Sequence, residues 1–247
     1  MPPLPTATPE AVGFDPARLR PAEALLQRWI ETDRVPGAAL VVGRGGRCLP
    51  PRLFGRQRPG PDAPPLRADA LFLVASITKP VTATAVMMLV ERGVLSLHDR
   101  VADHMPDFAR NGKQEVRILH VLTHTSGLPD MLPENLRLRR EHQPLAAFVA
   151  GTCRVVPAFR AGTAVNYQST GFAILAELVH QTSGRLLPEF LAQEVFTPLG
   201  MHGTSLGCTG QRRDRVAAVR IRQRSKGPTG AGTVSTGSAW ASPGAAW

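Results

Sequence analysis

The sequence predicts an α+β fold in which an antiparallel sheet is flanked by helices, with an all-helical lobe beside it. An apolar run at 38–42 and a possible second strand at 47–55 enclose the glycine-rich turn at 43–46, which is typical of an antiparallel hairpin. Apolar residues at helical spacing recur in several segments between 81 and 196. The chain of 247 residues is long enough for one large domain, or for an α/β domain with an inserted helical lobe.

An extended stretch and a helix are predicted before the hairpin. Residues 1–14 are rich in proline, and Asp15-Pro16 can cap and open a helix that reaches about Thr32. Pro21 lies inside this segment, where a proline can kink a helix. The buried side of the helix would carry three aliphatic residues, Leu19, Leu26 and Ile30.

Proline also affects the second strand and the segment after it. Pro50-Pro51 would have to lie at an edge or a bulge, because proline cannot donate a hydrogen bond to a sheet. Residues 56–70 are rich in Pro, Arg and Asp and are predicted as a loop.

A long buried helix is predicted next, with Pro80 in its first turn and Gly93 as a left-handed C-terminal cap. Residues 81–90 are almost all apolar or small, which is typical of a helix that is buried on every side. Later segments predict a compact turn at 94–101, helices at 115–123, 145–152, about 171 to Gly184 and 188–196, a polar stretch at 128–144, and a strand at 215–222.

These elements predict three parts of the chain. Residues 1–14 form an extended segment, residues 15–226 a domain, and residues 227–247 an irregular low-complexity tail. Within the domain, the α/β part covers about 15–70 and 205–226, and the helical lobe covers about 71–204.

The net charge of +10 and the pI near 11.0 do not by themselves predict nucleic-acid binding. Lysine occurs only at Lys79, Lys113 and Lys226, and so much arginine together with Ala, Pro and Gly indicates a GC-rich coding bias. Aromatic residues are not interleaved with the arginines, as single-strand binding requires. The arginines between Arg212 and Arg224 leave a nucleic-acid binder as an alternative, which would bind in a salt-dependent manner.

Cysteine usage and hydropathy predict a soluble cytoplasmic protein without a cofactor. Cys48, Cys153 and Cys208 are far apart and show neither metal-ligand spacing nor a disulfide framework. The histidines lack a ligand spacing such as H-E-x-x-H, which disfavours a zinc hydrolase. The N-terminus shows no signal peptide, and no stretch reaches the ~18–20 apolar residues of a membrane span.

Ser76 and Lys79 are the first candidate catalytic residues. They lie three positions apart at the start of the buried helix, so that one helical turn brings the hydroxyl and the amine together. A serine hydroxyl needs a base to take its proton, and a lysine amine can be that base when its surroundings favour the neutral form. The alternative is an ordinary core helix with a serine cap and a chance lysine, since S-x-x-K alone is a weak motif.

Tyr167 and Ser169 are the second pair of candidates. Tyr167 is the only tyrosine, and like Ser76 it lies in a turn before a helix. A phenol beside an ammonium group loses its proton more easily, so Tyr167 and Lys79 could share the role of base, and Ser169 could hydrogen-bond Lys79. The alternative for Tyr167 is a buried aromatic residue with one satisfied hydroxyl.

Taken together, these motifs resemble the serine β-lactamase-related hydrolases, which include class C β-lactamases, DD-peptidases and family VIII carboxylesterases. The resemblance covers roughly residues 12 to 207, and the order of the motifs and the interval between Ser76 and Tyr167 match. The motifs are Ser76-Ile-Thr-Lys79, Leu122-Thr-His-Thr-Ser-Gly-Leu128, Tyr167-Gln-Ser169-Thr-Gly171 and Pro198-Leu-Gly-Met201 with Thr204-Ser-Leu206.

The resemblance implies a β-lactamase/transpeptidase-like fold and a serine hydrolase that cleaves a small-molecule ester or amide. Ser76 would form an acyl-enzyme, Lys79 and Tyr167 would act as general base and acid, and the Ser76 backbone N–H would be one oxyanion donor. No cofactor, nucleic-acid partner or membrane partner is implied, and the oligomeric state is open. Ser169 stands where class C enzymes usually carry Asn, which favours an esterase or a peptidase-like relative. His124 is expected to hold a loop, because a triad histidine would require a G-x-S-x-G elbow, which the sequence lacks.

The third motif of the family, a Lys/His-Thr/x-Gly or Trp-Gly-Gly strand, has no copy in the sequence. Neither His202-Gly203 nor Lys226-Gly227 has the right position and surroundings. We therefore expect a truncated chain without the C-terminal sheet strands and without the second oxyanion donor, whose loss typically costs ~10²–10³ in rate. The expected activity is weak or absent, and the alternative function is that of a catalytically inactive relative that acts as a binding protein.

Overall fold

The computed structural model of the protein describes residues 4–207, 214–222 and 234–236. These residues belong to two units, one formed by the residues up to 73 with 214–222 and 234–236, and one formed by residues 74–207.

In the first unit, helix α1 (Pro16–Glu31) begins at the predicted cap, because Asp15 Oδ1 accepts the backbone N–H of Ala17 at 2.8 Å. Its three predicted inward residues are half-buried, and the helix continues through Pro21 and packs against the hairpin. Those three residues are Leu19, Leu26 and Ile30.

The predicted hairpin is present, but proline divides its strands into two ladders. Strand β1 (Gly37–Leu40) pairs antiparallel with β4 (Arg52–Gly55), and β2 (Gly43–Arg44) pairs with β3 (Arg47–Cys48). Pro50-Pro51 lies between β3 and β4, where it interrupts the second strand as its missing N–H donors require.

The predicted loop at 56–70 is attached to the segment at 214–219. Gln57 is buried, and its Nε2 donates to the Arg215 carbonyl oxygen at 2.7 Å while its Oε1 accepts the Arg67 N–H at 3.2 Å. The Leu71 N–H also donates to the Arg215 carbonyl, at 2.9 Å. Through this attachment, backbone groups of the irregular segment gain hydrogen-bond partners.

The predicted strand at 215–222 forms over its last three residues. Strand β5 (Arg220–Arg222) pairs antiparallel with β6 (Val234–Thr236), which lies inside the segment predicted as an irregular tail. Val234 and Thr236 are β-branched and favour a strand, a local preference that the low complexity of the tail obscured. The predictions for 223–233 and 237–247 lie outside the described residues.

The second unit is helical throughout its regular structure. Its elements are α2 (Thr78–Glu91), α3 (Val101–His104), α4 (Ile118–Leu122), α5 (Asn135–Arg140), α6 (Leu145–Arg154), α7 (Thr170–Ser183), α8 (Leu187–Leu191), a π-helical turn (Ala192–Phe196) and two 3-10 segments (Ala75–Ile77 and Pro106–Gly112). The predicted caps Gly93 and Gly184 follow α2 and α7 with φ of 69° and 70°. Helix α4 is shorter than the predicted helix at 115–123. Helices α3 and α5 were missed because one or two turns are too short to show a helical period.

Helix α7 lies at the centre of this unit and packs against α2, α4, α6 and α8. Nearly all of its side chains up to Val179 are buried, and Ile174, Leu175 and Leu178 are completely inaccessible to solvent. Each such side chain contributes about 1.5–3 kcal/mol through burial. The core therefore holds the start of α2 and the start of α7 in place, and these two points carry the candidate catalytic residues.

Lys113 is completely buried in the same unit. Its Nζ donates to the carbonyl oxygens of Arg110, Cys153 and Val155 at 2.6, 3.0 and 2.6 Å. Burial lowers the pKa of the ammonium group, while the three carbonyls satisfy its three donors. The lysine thus joins the turn before residue 113 to the C-terminal end of α6.

No described helix combines the length and the hydropathy that a membrane span requires.

Candidate active site

Ser76 lies in a 3-10 turn (Ala75–Ile77) that leads directly into α2. Ala75 has φ of 45°, a left-handed conformation that is uncommon for a residue with a side chain and that is enriched at functional sites. This backbone bend turns the chain immediately before the serine. The sequence did not indicate it, because alanine is not a residue that favours left-handed backbone.

Lys79 contacts Ser76 as the i, i+3 spacing predicts. Its Nζ donates to Ser76 Oγ at 3.1 Å from the first turn of α2. The ammonium group also lies above the rings of Tyr167 and Phe172, at 4.7 and 5.6 Å from the ring centroids. These two faces attract a cation and keep the lysine side chain directed at the serine.

Tyr167 reaches the same serine oxygen from the other half of the unit. Its hydroxyl donates to Ser76 Oγ at 2.7 Å, although 91 positions separate the two residues. The side chain is 47% exposed, so the alternative of a buried structural tyrosine is wrong. Ser76, Lys79 and Tyr167 thus converge at one solvent-accessible point.

The pKa of Tyr167 lies below its ordinary value of 10.0. Hydrogen bonding to Lys79 is the largest cause and hydrogen bonding to Ser76 the next, and the positive charge of Lys79 acts in the same direction. Partial burial and the charge of Asp130 oppose the shift. The environment of the phenol therefore favours loss of its proton, which a general base requires.

Ser169 contacts Asp130, a residue that no sequence motif indicated. The Ser169 hydroxyl donates to Asp130 Oδ1 at 2.7 Å, and its backbone N–H donates to the Asp130 carbonyl oxygen at 3.1 Å. Since the one hydroxyl proton goes to Asp130, Ser169 can contact Lys79 only as a hydrogen-bond acceptor. The available signal for Asp130 was its place two residues after the Leu122–Leu128 motif.

His124 holds the turn that carries Tyr167, which confirms its predicted role. Its Nδ1 accepts the Gln168 backbone N–H at 3.1 Å, and its carbonyl oxygen accepts the Asn166 N–H at 2.9 Å. The ring stacks at 4.8 Å from the Tyr167 ring. Burial and the charge of Lys79 lower the pKa of His124, so that the neutral form that accepts the Gln168 hydrogen bond is favoured.

No sequence motif indicated a role for Gln168 either, and this residue fixes the same turn from the core side. Its side chain is completely buried, with Nε2 donating to the Val121 carbonyl oxygen at 3.0 Å and Oε1 accepting from the Ser126 hydroxyl at 2.5 Å. A buried amide whose oxygen and nitrogen both have partners positions the backbone on each side of it. Tyr167 and Ser169 flank Gln168 and are thereby directed away from the core.

The arrangement can support nucleophilic attack by Ser76 and movement of its proton to a neighbouring group. Two donors meet the serine oxygen, and the start of α2 places its backbone N–H groups nearby, where negative charge is favoured. Within the described ranges, no set of three or more His, Cys, Asp or Glu side chains is arranged to hold a metal ion.

Comparison with known proteins gives the same family as these motifs. The family model named Beta-lactamase matches residues 22–246. Penicillin-binding protein 4 of Amycolatopsis lactamdurans is 34% identical over 197 residues, which are 78% of this chain and 51% of that protein. Esterase EstB of Burkholderia gladioli is 38% identical over 125 residues, which are 49% of this chain and 32% of that protein. The chain therefore spans about half the length of the first relative and about a third of the second.

A solved family VIII carboxylesterase superposes with a TM-score of 0.69 at 26% identity, over 81% of this chain and 54% of the other. This superposition shows that the described part of the chain has the β-lactamase/transpeptidase-like fold, as the motifs predicted. The family model covers well over half of the sequence, and its range includes Ser76, Lys79 and Tyr167. The chain belongs to the beta-lactamase family.

Proposed function

We propose that the protein is a serine hydrolase that cleaves an ester or an amide through an acyl-enzyme on Ser76. The single observation that carries this proposal is the convergence of Lys79 Nζ and Tyr167 Oη on Ser76 Oγ, at 3.1 and 2.7 Å. The names of the relatives, a penicillin-binding protein and two esterases, support hydrolysis of such substrates.

In the acylation step, Ser76 Oγ forms a bond to the substrate carbonyl carbon and gives its proton to Tyr167 or Lys79. For Tyr167 to accept this proton, the hydrogen bond between the two oxygens must reverse, with Ser76 donating to a phenolate. The Ser76 backbone N–H is the proposed oxyanion donor. Collapse of the tetrahedral intermediate breaks the bond to the leaving group, which takes the proton and departs as an alcohol or an amine.

In the deacylation step, the same groups act in the reverse order. Water attacks the acyl carbon while Tyr167 or Lys79 accepts its proton, and that proton returns to Ser76 Oγ as the acid is released. Ser169 is the proposed supporting residue, because its oxygen can accept a hydrogen bond from Lys79 while its proton remains with Asp130.

The test is hydrolysis of p-nitrophenyl acetate, p-nitrophenyl butyrate and nitrocefin by the protein and by its Ser76→Ala variant. We expect release of p-nitrophenol that depends on Ser76, and nitrocefin turnover in addition would favour a β-lactamase over an esterase. Equal rates for both proteins, each shown to be folded by circular dichroism, would contradict the proposal.

Intact-mass spectrometry after incubation with a fluorophosphonate separates acylation from turnover. Labelling of the protein and not of Ser76→Ala would support Ser76 as the nucleophile even when hydrolysis is slow. Equal labelling of the protein and of Ser76→Ala would contradict Ser76 as the nucleophile.

A further inference from the structure

We propose that Asp130 is a positioning residue of the Ser76 centre, which through Ser169 holds a fixed negative charge beside Tyr167 and so balances the positive charge of Lys79. As a statement about the reaction, this inference rests on the function proposed above. As a statement about the charge balance of the site, it can be tested without any turnover.

Asp130 is attached to the start of α7 through both its backbone and its side chain. Ser169, the N-cap of α7, donates to Asp130 Oδ1 from its hydroxyl and to the Asp130 carbonyl oxygen from its N–H, at 2.7 and 3.1 Å. The preceding residue is held as well, because the Thr170 hydroxyl donates to the Pro129 carbonyl oxygen at 2.6 Å. Asp130 is therefore held at the N-terminal end of a long helix, beside Ser169, which lies two residues along the chain from Tyr167.

The charged and titratable groups around Tyr167 come from three directions. Lys79 approaches from α2, His124 from the turn after α4, and Asp130 from the segment bound to the start of α7. Lys79 favours the ionised phenol and neutral His124, and Asp130 opposes Lys79 at both residues. The two charges act in opposite directions on both aromatic groups, and the contribution of Asp130 is the smallest of those that act on each group.

This opposition has a consequence for the reaction. In the proposed mechanism Tyr167 takes a proton from Ser76 and then returns it, so neither ionisation state can dominate strongly. General acid–base catalysis is most efficient when the pKa of the group lies near the working pH. Lys79 favours the proton-accepting form of the phenol and Asp130 favours the proton-donating form, so the two charges act on opposite halves of the proposed cycle.

Tyr167 is the only tyrosine of the chain, so the ultraviolet difference absorbance of phenolate reports on this site alone. We would titrate the protein, Asp130→Asn, Lys79→Met and Ser169→Ala. Asp130→Asn keeps an oxygen that can accept from Ser169 and removes only the charge. In Asp130→Asn, the Tyr167 phenol is expected to titrate at lower pH than in the unaltered protein. In Lys79→Met, the same phenol is expected to titrate at higher pH. Ser169→Ala frees the carboxylate and is expected to shift the titration in the same direction as Asp130→Asn, but less.

An unchanged phenol titration in folded Asp130→Asn would overturn the proposal, because a merely structural Asp130 would not affect it. Should that variant not fold, Asp130→Ala removes the same charge with a smaller side chain, and the same result is expected. The pH profile of kcat/KM for p-nitrophenyl acetate is expected to move with the phenol titration. A third result separates the two proposals: Asp130→Asn shifts the Tyr167 titration, but the protein shows no Ser76-dependent hydrolysis. This result would contradict the proposed function and support the charge relation.

Discussion

The Gln168 backbone N–H donates to His124 Nδ1 at 3.1 Å, and this hydrogen bond joins two turns that lie 44 positions apart. Its acceptor is a ring nitrogen that is available only while His124 remains unprotonated at Nδ1. Since Tyr167 precedes Gln168 and stacks on the His124 ring, the protonation of one histidine affects the position of the proposed general base.

The stability of the protein is expected to fall in mildly acidic solution because of His124. Burial and Lys79 lower the pKa of His124 in the folded state below its ordinary value of 6.5, so the histidine contributes stability that is fully present above 6.5. This contribution is lost as the pH falls through the lowered pKa, and urea unfolding at a series of pH values measures it.

The matched variant for this measurement is His124→Asn. The asparagine side-chain oxygen can accept the Gln168 N–H without titrating, and asparagine tolerates the φ of 61° at this position. The acid loss of stability should therefore be smaller in the variant. An identical pH dependence in both proteins would exclude His124 as its source.

Tyr167→Phe is expected to lower kcat/KM for p-nitrophenyl acetate about 10²–10⁴-fold, the typical contribution of a general acid–base group. In the unaltered protein, kcat/KM should rise with pH through a pKa below 10.0, because Lys79 and Ser76 favour the phenolate. This rise should be absent from the variant. A variant that retained both the rate and the rise would show that Lys79 moves the proton without Tyr167.

Lys113→Met is expected to reduce the free energy of unfolding by about 2–4 kcal/mol, because three backbone carbonyls lose a charged donor in the protein interior. Urea denaturation followed by circular dichroism measures the loss. The control is Arg110→Ala, whose exposed side chain pairs only with the exposed Asp107 among the described contacts and should change stability by less than about 0.5 kcal/mol. Equal effects of the two substitutions would contradict the role of Lys113.

Ala75→Gly and Ala75→Val test the backbone bend before Ser76. Glycine adopts φ of 45° without strain and is expected to stabilise the fold by about 1 kcal/mol with normal fluorophosphonate labelling of Ser76. Valine is β-branched and resists this conformation, so labelling should slow. Thermal unfolding and the labelling rate are measured together, and equal labelling of both variants would show that the bend does not position the nucleophile.

The parts of the fold that were predicted from the sequence depend on local chemistry. The cap at Asp15 and the caps at Gly93 and Gly184 are each determined by neighbouring residues. The prediction that α2 is buried on every side was wrong, because Thr84 and Met87 are exposed and only one face of the helix is buried. The spacing of Ser76 and Lys79 is equally local, and the order of the motifs identified Tyr167. Such features do not require knowledge of how distant segments meet.

The missed residues depend on contacts between distant segments. Asp130 and Gln168 acquire their roles only when the turns at 121–130 and 166–170 lie side by side. The residues that neighbour Asp130 or Gln168 in the sequence do not indicate a partner about 40 positions away. The left-handed Ala75 was missed for a related reason, since tertiary structure imposes this conformation against the preference of the residue itself.

The nucleophile and the proposed proton acceptor stand at the starts of two different helices, α2 and α7, which pack against each other through the core. Their 2.7 Å contact therefore depends on how the two helices pack, and each helix places a completely buried alanine in the shared core, Ala85 in α2 and Ala176 in α7. A larger residue at either position would displace the helices that pack around it. The rate of acylation would then respond to side-chain volume deep inside the protein, and an enlarged residue on one helix could be offset by a reduced one on the other.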